Sequence, residues 1–334
     1  MNANKQIASI ECTITIVMSL LLIAGLLSAC SGINIQAARN LSATGKNVAL
    51  QVRQNIFVSD DEYTRARDGE ALVHGFSGTT NSDLYAKILK DYDVIHQELA
   101  KRTIVFESLA DVYDAFGELA GLDAGAQTEQ ALTNLGGAIE EYAKQIMQPS
   151  PIYKDTTAII SKVGGIVAAE IQKAKIKEAS IQIRGRVEDF QKLLGNKLVR
   201  EQMTGFRQSL TTVKKAAFTL MWNQGVYDPK PLLDDFGTDA GLVAKKEAAA
   251  GIKPNTPLGN ALLEVLKKRL AIKADLIEKS YDASLKALGS LISEHRKLEQ
   301  GEPLDLNRVQ AISAELRSIA GMLTKVKADL SKNQ

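Results

Sequence analysis

Few residues of this 334-residue chain have the types and spacings that chemistry requires. His74, Gly75, Phe76, Ser77 and Gly78 fall short of the Gly-x-Ser-x-Gly turn that exposes a nucleophilic serine. Gly78 directly follows Ser77, and no strand-period run comes before it, so a glycine-rich loop is the plainer expectation. The three histidines, His74, His96 and His295, are scattered, and none has a metal-ligand partner at helical spacing. Asp228, Asp234, Asp235 and Asp239 share a Pro- and Gly-rich stretch. Carboxylates can hold calcium, but these lack the alternation and the closing glutamate of an EF-hand loop. Trp222 and Tyr227 flank the start of that stretch. Together with Asp234 and Asp235 they form a candidate interaction surface, because aromatics anchor interfaces. Equally, the two aromatics can end a core. No catalytic residue, metal site or cofactor motif is expected.

One residue does carry a chemistry, and its context defines it. Residues 14–27 are an almost unbroken apolar run behind a modestly positive start that includes Lys5. The run fits the apolar region of an export signal and is short for a spanning helix, which needs about 20 residues. Small residues follow, and then a cysteine. Leu27, Ser28, Ala29 and Cys30 in this setting resemble the lipobox of bacterial lipoproteins. The resemblance implies lipid attachment at the Cys30 thiol, cleavage between Ala29 and Cys30, and acylation of the new amine. Ser31 stands where an aspartate would favour retention in the inner membrane. By the same resemblance, if the cell is Gram-negative, the expected location is the outer membrane, facing the periplasm. A plain membrane helix is the alternative, and Glu11 just ahead of the run speaks for it.

The other cysteine, Cys12, leaves with the signal. The mature body then has neither disulfide nor thiol chemistry. Apolar residues make up 45% and charged residues 24%, enough to build a core. Seven prolines and 5% aromatics, beside plentiful Ala, Leu, Lys and Glu, favour helices. A net charge of +2 gives no electrostatic case for nucleic acid.

Apolar periodicity then sets out the elements. A short tether is expected from Ser31 to about Asn40. A first helix over 37–59 places Leu41, Val48, Val52 and Ile56 near one face, weakened by Gly45, and 60–81 reads as a loop. A long helix starts at Ser82 with a heptad seam that runs through Ile88, Ile95, Leu99, Arg102, Phe106, Tyr113 and Phe116 to Gly121. Arg102 on that seam is expected to snorkel at a bundle edge or to pair with a buried carboxylate. Further helices are expected from Thr128 to Pro149 and over 155–224, with Gly185 and Gly195 as candidate kinks. A connector with a short helix at 242–250 follows. Thr256 caps a helix that starts at Pro257 and runs to about Gln300, with His295 on its seam. The last helix starts after Asp305. The organisation is thus a signal over 1–29, a lipidated tether, first helix and loop over 30–81, and a bundle over 82–225. A connector over 226–256 and a C-terminal hairpin over 257–334 complete it. The expected fold is all-α: an elongated antiparallel bundle with coiled-coil-like heptad seams.

The leading functional expectation is a lipid-anchored envelope protein, a non-enzymatic scaffold or protein-binding module. Its partner would be an envelope protein or a second copy joined through the seams. A second reading is membrane activity through residues 156–171, which are apolar and rich in small residues but interrupted by Lys162. An envelope hydrolase using Ser77 or Asp235 is the third.

Overall fold

The computed structural model describes residues 32–78, 82–121, 125–146, 168–226, 253 and 255–331. Among these the chain is all-α, with seven helices packed antiparallel and no strand. They are α1 (Ile35–Phe76), α2 (Ser82–Leu119), α3 (Gly125–Gln145), α4 (Ala168–Leu194), α5 (Lys197–Asn223), α6 (Pro257–Gln300) and α7 (Leu306–Ser331). The signal segment, Cys30 and the 227–252 connector lie outside the described residues.

The helix ends follow their cap chemistry. Asn34 accepts a hydrogen bond from the Ala37 amide at 3.1 Å and starts α1. Thr256 caps α6 with Pro257 at the first position, and Gly301, at φ 73°, closes it in the left-handed region. Asn196 caps α5.

Three expectations about element bounds need correction. The tether expected up to Asn40 gives way to helix at Ile35, and Ile33 is already buried. The loop expected over 60–81 is mostly helix, because α1 continues past Ser59 to Phe76. Polar residues of that stretch are buried against other helices: Glu62 and Tyr63 lie inside, and Gly69 faces Val213 and Ala217 of α5. Of the two candidate kinks, only Gly195 interrupts the helix, and Gly185 lies within α4.

Two long helices organise the packing. The 42 residues of α1 extend about 63 Å at 1.5 Å per residue. This helix touches α2, α5, α6 and α7. Its approach to α2 is close at Gly45, where a methyl group would collide with the Tyr113 ring. The second organiser is α6, along which α4 and α5 follow one another. Arg184 pairs with Glu299 at 3.0 Å, Arg296 with Glu188 at 2.7 Å, and Arg207 with Asp275 at 3.1 Å. These contacts run in antiparallel order along α6. The main core is continuous from α1 to α7 and centres on Phe106, Tyr113, Phe116, Tyr142 and Phe190. Phe190 takes Phe106 and Tyr142 edge-on at 5.2 and 5.6 Å between ring centres.

Candidate functional site: a polar chamber beside the α5–α6 cleft

Glu98 and Arg102 stand one turn apart on the inner face of α2, and both are about 95% buried. Arg102 donates to Glu98 Oε1. Tyr142 of α3 donates its hydroxyl to the same oxygen at 2.8 Å. The guanidinium lies over the Tyr281 ring of α6 at 5.3 Å, and its Nη2 meets the Met203 sulfur of α5 at 3.5 Å. The Tyr281 hydroxyl donates to the Leu194 carbonyl, so the chamber sees only its ring. Burial opposes the charge on Arg102, but Glu98, Tyr142 and Tyr281 hold its pKa above the ordinary arginine range. Four buried atoms in this neighbourhood lack a hydrogen-bond partner among the described residues: Arg102 Nε, Glu98 Oε2, Arg207 Nε and the Tyr63 hydroxyl. Tyr63 lies within the electrostatic reach of the other three side chains, and burial raises its pKa.

A cavity of about 240 Å³ opens beside the chamber, between α5 and α6. Met203, Ile277 and Tyr281 form its apolar wall, and Arg200, Arg207, Glu278 and Asp282 complete the charged lining. Arg207 pairs with Glu278 at 2.6 Å, and Arg200 with Asp282 at 3.5 Å. A smaller void of about 20 Å³ shares Met203, Ile277 and Tyr281 with the cavity and reaches Arg102. The arrangement is suited to binding. It has charges of both signs at the lining, apolar surface on the wall and unsatisfied polar atoms nearby. Among the described residues, no three His, Cys, Asp or Glu side chains gather to hold a metal ion.

Two further polar clusters are structural. Glu62 of α1 takes Lys214 of α5 at 2.5 Å and Lys273 of α6 at 3.2 Å, all three buried. Burial works against the Glu62 carboxylate, yet the two lysines hold its pKa below the usual value. Elsewhere, His295 Nδ1 lies 2.8 Å from Ser180 Oγ, and its Nε2 lies 3.1 Å from the Tyr113 hydroxyl. A serine beside a histidine is the start of a nucleophile–base pair. Here both are completely buried, so the pair ties α4 to α6 and α2 instead. Burial, with a contribution from Arg184, pushes the His295 pKa down to about 3.

The residues singled out in the sequence fall in different places. Trp222 is 3% exposed and packs with Leu262 and Leu266 in a small apolar cluster. It therefore ends a core and does not present a surface. Tyr227, Asp234, Asp235, Ala29 and Cys30 lie outside the described residues, as do residues 156–167 of the proposed insertion segment. Ser77 caps the end of α1, with its hydroxyl donated to the Val73 carbonyl at 2.7 Å. His74 belongs to the last turn of α1, and His96 pairs with Asp60 at 2.7 Å. The three histidines do not converge. Arg102 takes the buried-pair arrangement and not the snorkelling one. Reading the sequence missed Glu98, Met203, Arg207 and Tyr281 as a group. The only available signal was the i, i+4 spacing of Glu98 and Arg102 across a seam. Among the described residues, no helix is long and apolar enough to cross a membrane. No protein-family model, curated protein or solved structure matches the chain.

Proposed function

We propose that this chain is a lipid-anchored envelope protein whose elongated, heptad-seamed bundle is a non-enzymatic protein-binding module. The observation that carries the binding role is an uncovered stripe on α6. Leu258, Val265 and Ile272 recur every seven residues there and are 50%, 44% and 56% exposed. A heptad stripe of this kind is the seam one helix offers another. Lys268 is exposed between Val265 and Ile272, so the complementary partner is a helix with acidic flanks. The anchor reading rests on the lipobox residues. Cys30 precedes the first described residue, Gly32, by two positions, and α1 begins at Ile35. Five residues of extended chain reach at most about 18 Å, so a lipid on Cys30 would hold this end of the bundle close to the membrane.

Intact mass and membrane fractionation of the native protein, compared with Cys30→Ala, test the anchor. The expected mature chain begins at Cys30 with added acyl chains, and the variant loses both cleavage and acylation. An uncleaved mass beginning at Met1, unchanged by the substitution, overturns this reading. Crosslinking in isolated envelopes tests the surface. Val265→Asp together with Ile272→Asp should abolish a crosslinked species that wild type forms. A crosslinking pattern identical in both proteins counts against the α6 stripe.

A further inference from the structure

We propose that the cavity between α5 and α6 binds a small zwitterionic molecule with an apolar tail, of the apolar α-amino-acid class. The lining presents two cations, Arg200 and Arg207, beside two anions, Glu278 and Asp282. A ligand with a single charge would meet like charge on one half of this lining. A zwitterion replaces both halves together: its carboxylate takes the guanidinium groups and its ammonium takes the carboxylates. The wall behind is apolar, formed by Met203, Ile277 and the Tyr281 ring. Tyr281 is fixed as an apolar surface because its hydroxyl is already engaged by Leu194. A methionine on such a wall adapts to side chains of different shape.

A second and independent observation points the same way. Arg207 lines the cavity, and its buried Nε has no acceptor among the described residues. Buried donors are nearly always satisfied in folded proteins, so this one asks for an acceptor that the protein itself does not supply. Arg102 Nε, at the smaller void, is in the same state. The unmet demand at the cavity is therefore for an acceptor, as the carboxylate of an amino acid provides. At about 240 Å³ the cavity lies just below the usual range of about 300–1,000 Å³ for ligand pockets, which restricts the ligand to a small molecule. The site does not depend on the lipid anchor or on the α6 stripe.

The test is titration calorimetry of the full-length protein in detergent with leucine, methionine and phenylalanine. Two matched half-molecules accompany them: 4-methylpentanoate, which lacks the amine, and 3-methylbutylamine, which lacks the carboxylate. At least one amino acid is expected to bind saturably, with each half-molecule about tenfold or more weaker. Arg200→Gln and Asp282→Asn should each weaken the amino acid by about tenfold, and Met203→Trp should fill the cavity and abolish binding. Met203→Leu keeps the side-chain volume and should retain binding, which separates loss of the site from loss of the fold. No saturable binding up to about 10 mM with any of the three amino acids overturns the proposal. Equal affinity for a half-molecule does so as well, and so does unchanged binding by a folded Met203→Trp protein.

Discussion

Glu98 and Arg102 are each costly inside the bundle without the other. Removing water from either charge costs several kcal/mol, and the partner's field offsets that cost. Arg102→Met and Glu98→Leu should therefore each destabilise the protein by about 3–5 kcal/mol, and the double substitution should recover most of the loss. Urea unfolding of the three variants measures this, and additive losses would mean that the pair is not coupled. Gly45 is a matter of space. An alanine there collides with the Tyr113 ring, so Gly45→Ala should cost about 1–3 kcal/mol despite the better helix propensity of alanine. Gly137 of α3 is exposed, with open space where its Cβ would be, so Gly137→Ala should gain up to about 1 kcal/mol. Thermal melts that shift in the same direction for both glycines would refute the steric explanation.

At the scale of elements, what the sequence disclosed depended on where each helix finds its partners. The start and end of α6 are written locally, in Thr256, Pro257 and Gly301. The second half of α1 is not. Glu62 is a surface residue by type, and it is buried only because Lys214 and Lys273 meet it from 152 and 211 residues further along the chain. Similarly, Arg102 stood out on its seam, but Met203 and Tyr281 join it only through the packing of α5 and α6. His295 was visible as a seam histidine, while nothing near it in sequence marks Ser180 as its partner. The break between α4 and α5 is local again. Gly195 ends one helix and Asn196 starts the next, with its side chain accepting from the Leu198 amide at 2.8 Å. Asn196→Ala should cost about 1 kcal/mol and speed hydrogen exchange in the first turn of α5. Exchange in the middle of α6 should be unchanged; an equal increase there would show that the cap serves the whole fold.

At the scale of the whole molecule, the polar groups inside the bundle make its stability depend on pH in two separable steps. His295 sits where α2, α4 and α6 meet and is neutral in the fold, with its pKa pushed from 6.5 to about 3 by burial and then by Arg184. The unfolded chain binds a proton below about pH 6.5 and the folded one does not, so acid favours unfolding across this interval. Its contribution is complete above 6.5 and falls away as the pH drops towards 3. Each pKa unit corresponds to about 1.36 kcal/mol, so the loss between pH 6.5 and 4.5 should be about 2–3 kcal/mol. The buried and half-buried carboxylates with lowered pKa values, Glu62 and Glu188, act later. Their stabilisation is present above about 4.5 and is lost only as the pH falls below it. Chemical unfolding at pH 8, 6.5, 5.5 and 4.5 follows the first step, and a further point at about pH 3.5 adds the second. His295→Gln should be less stable than wild type at pH 8, since it disturbs the contacts with Tyr113 and Ser180, but its stability should stay nearly level down to pH 5. If wild type and variant lose stability in parallel over that interval, His295 is not the group that titrates, and the joint of α2, α4 and α6 does not confer the acid sensitivity.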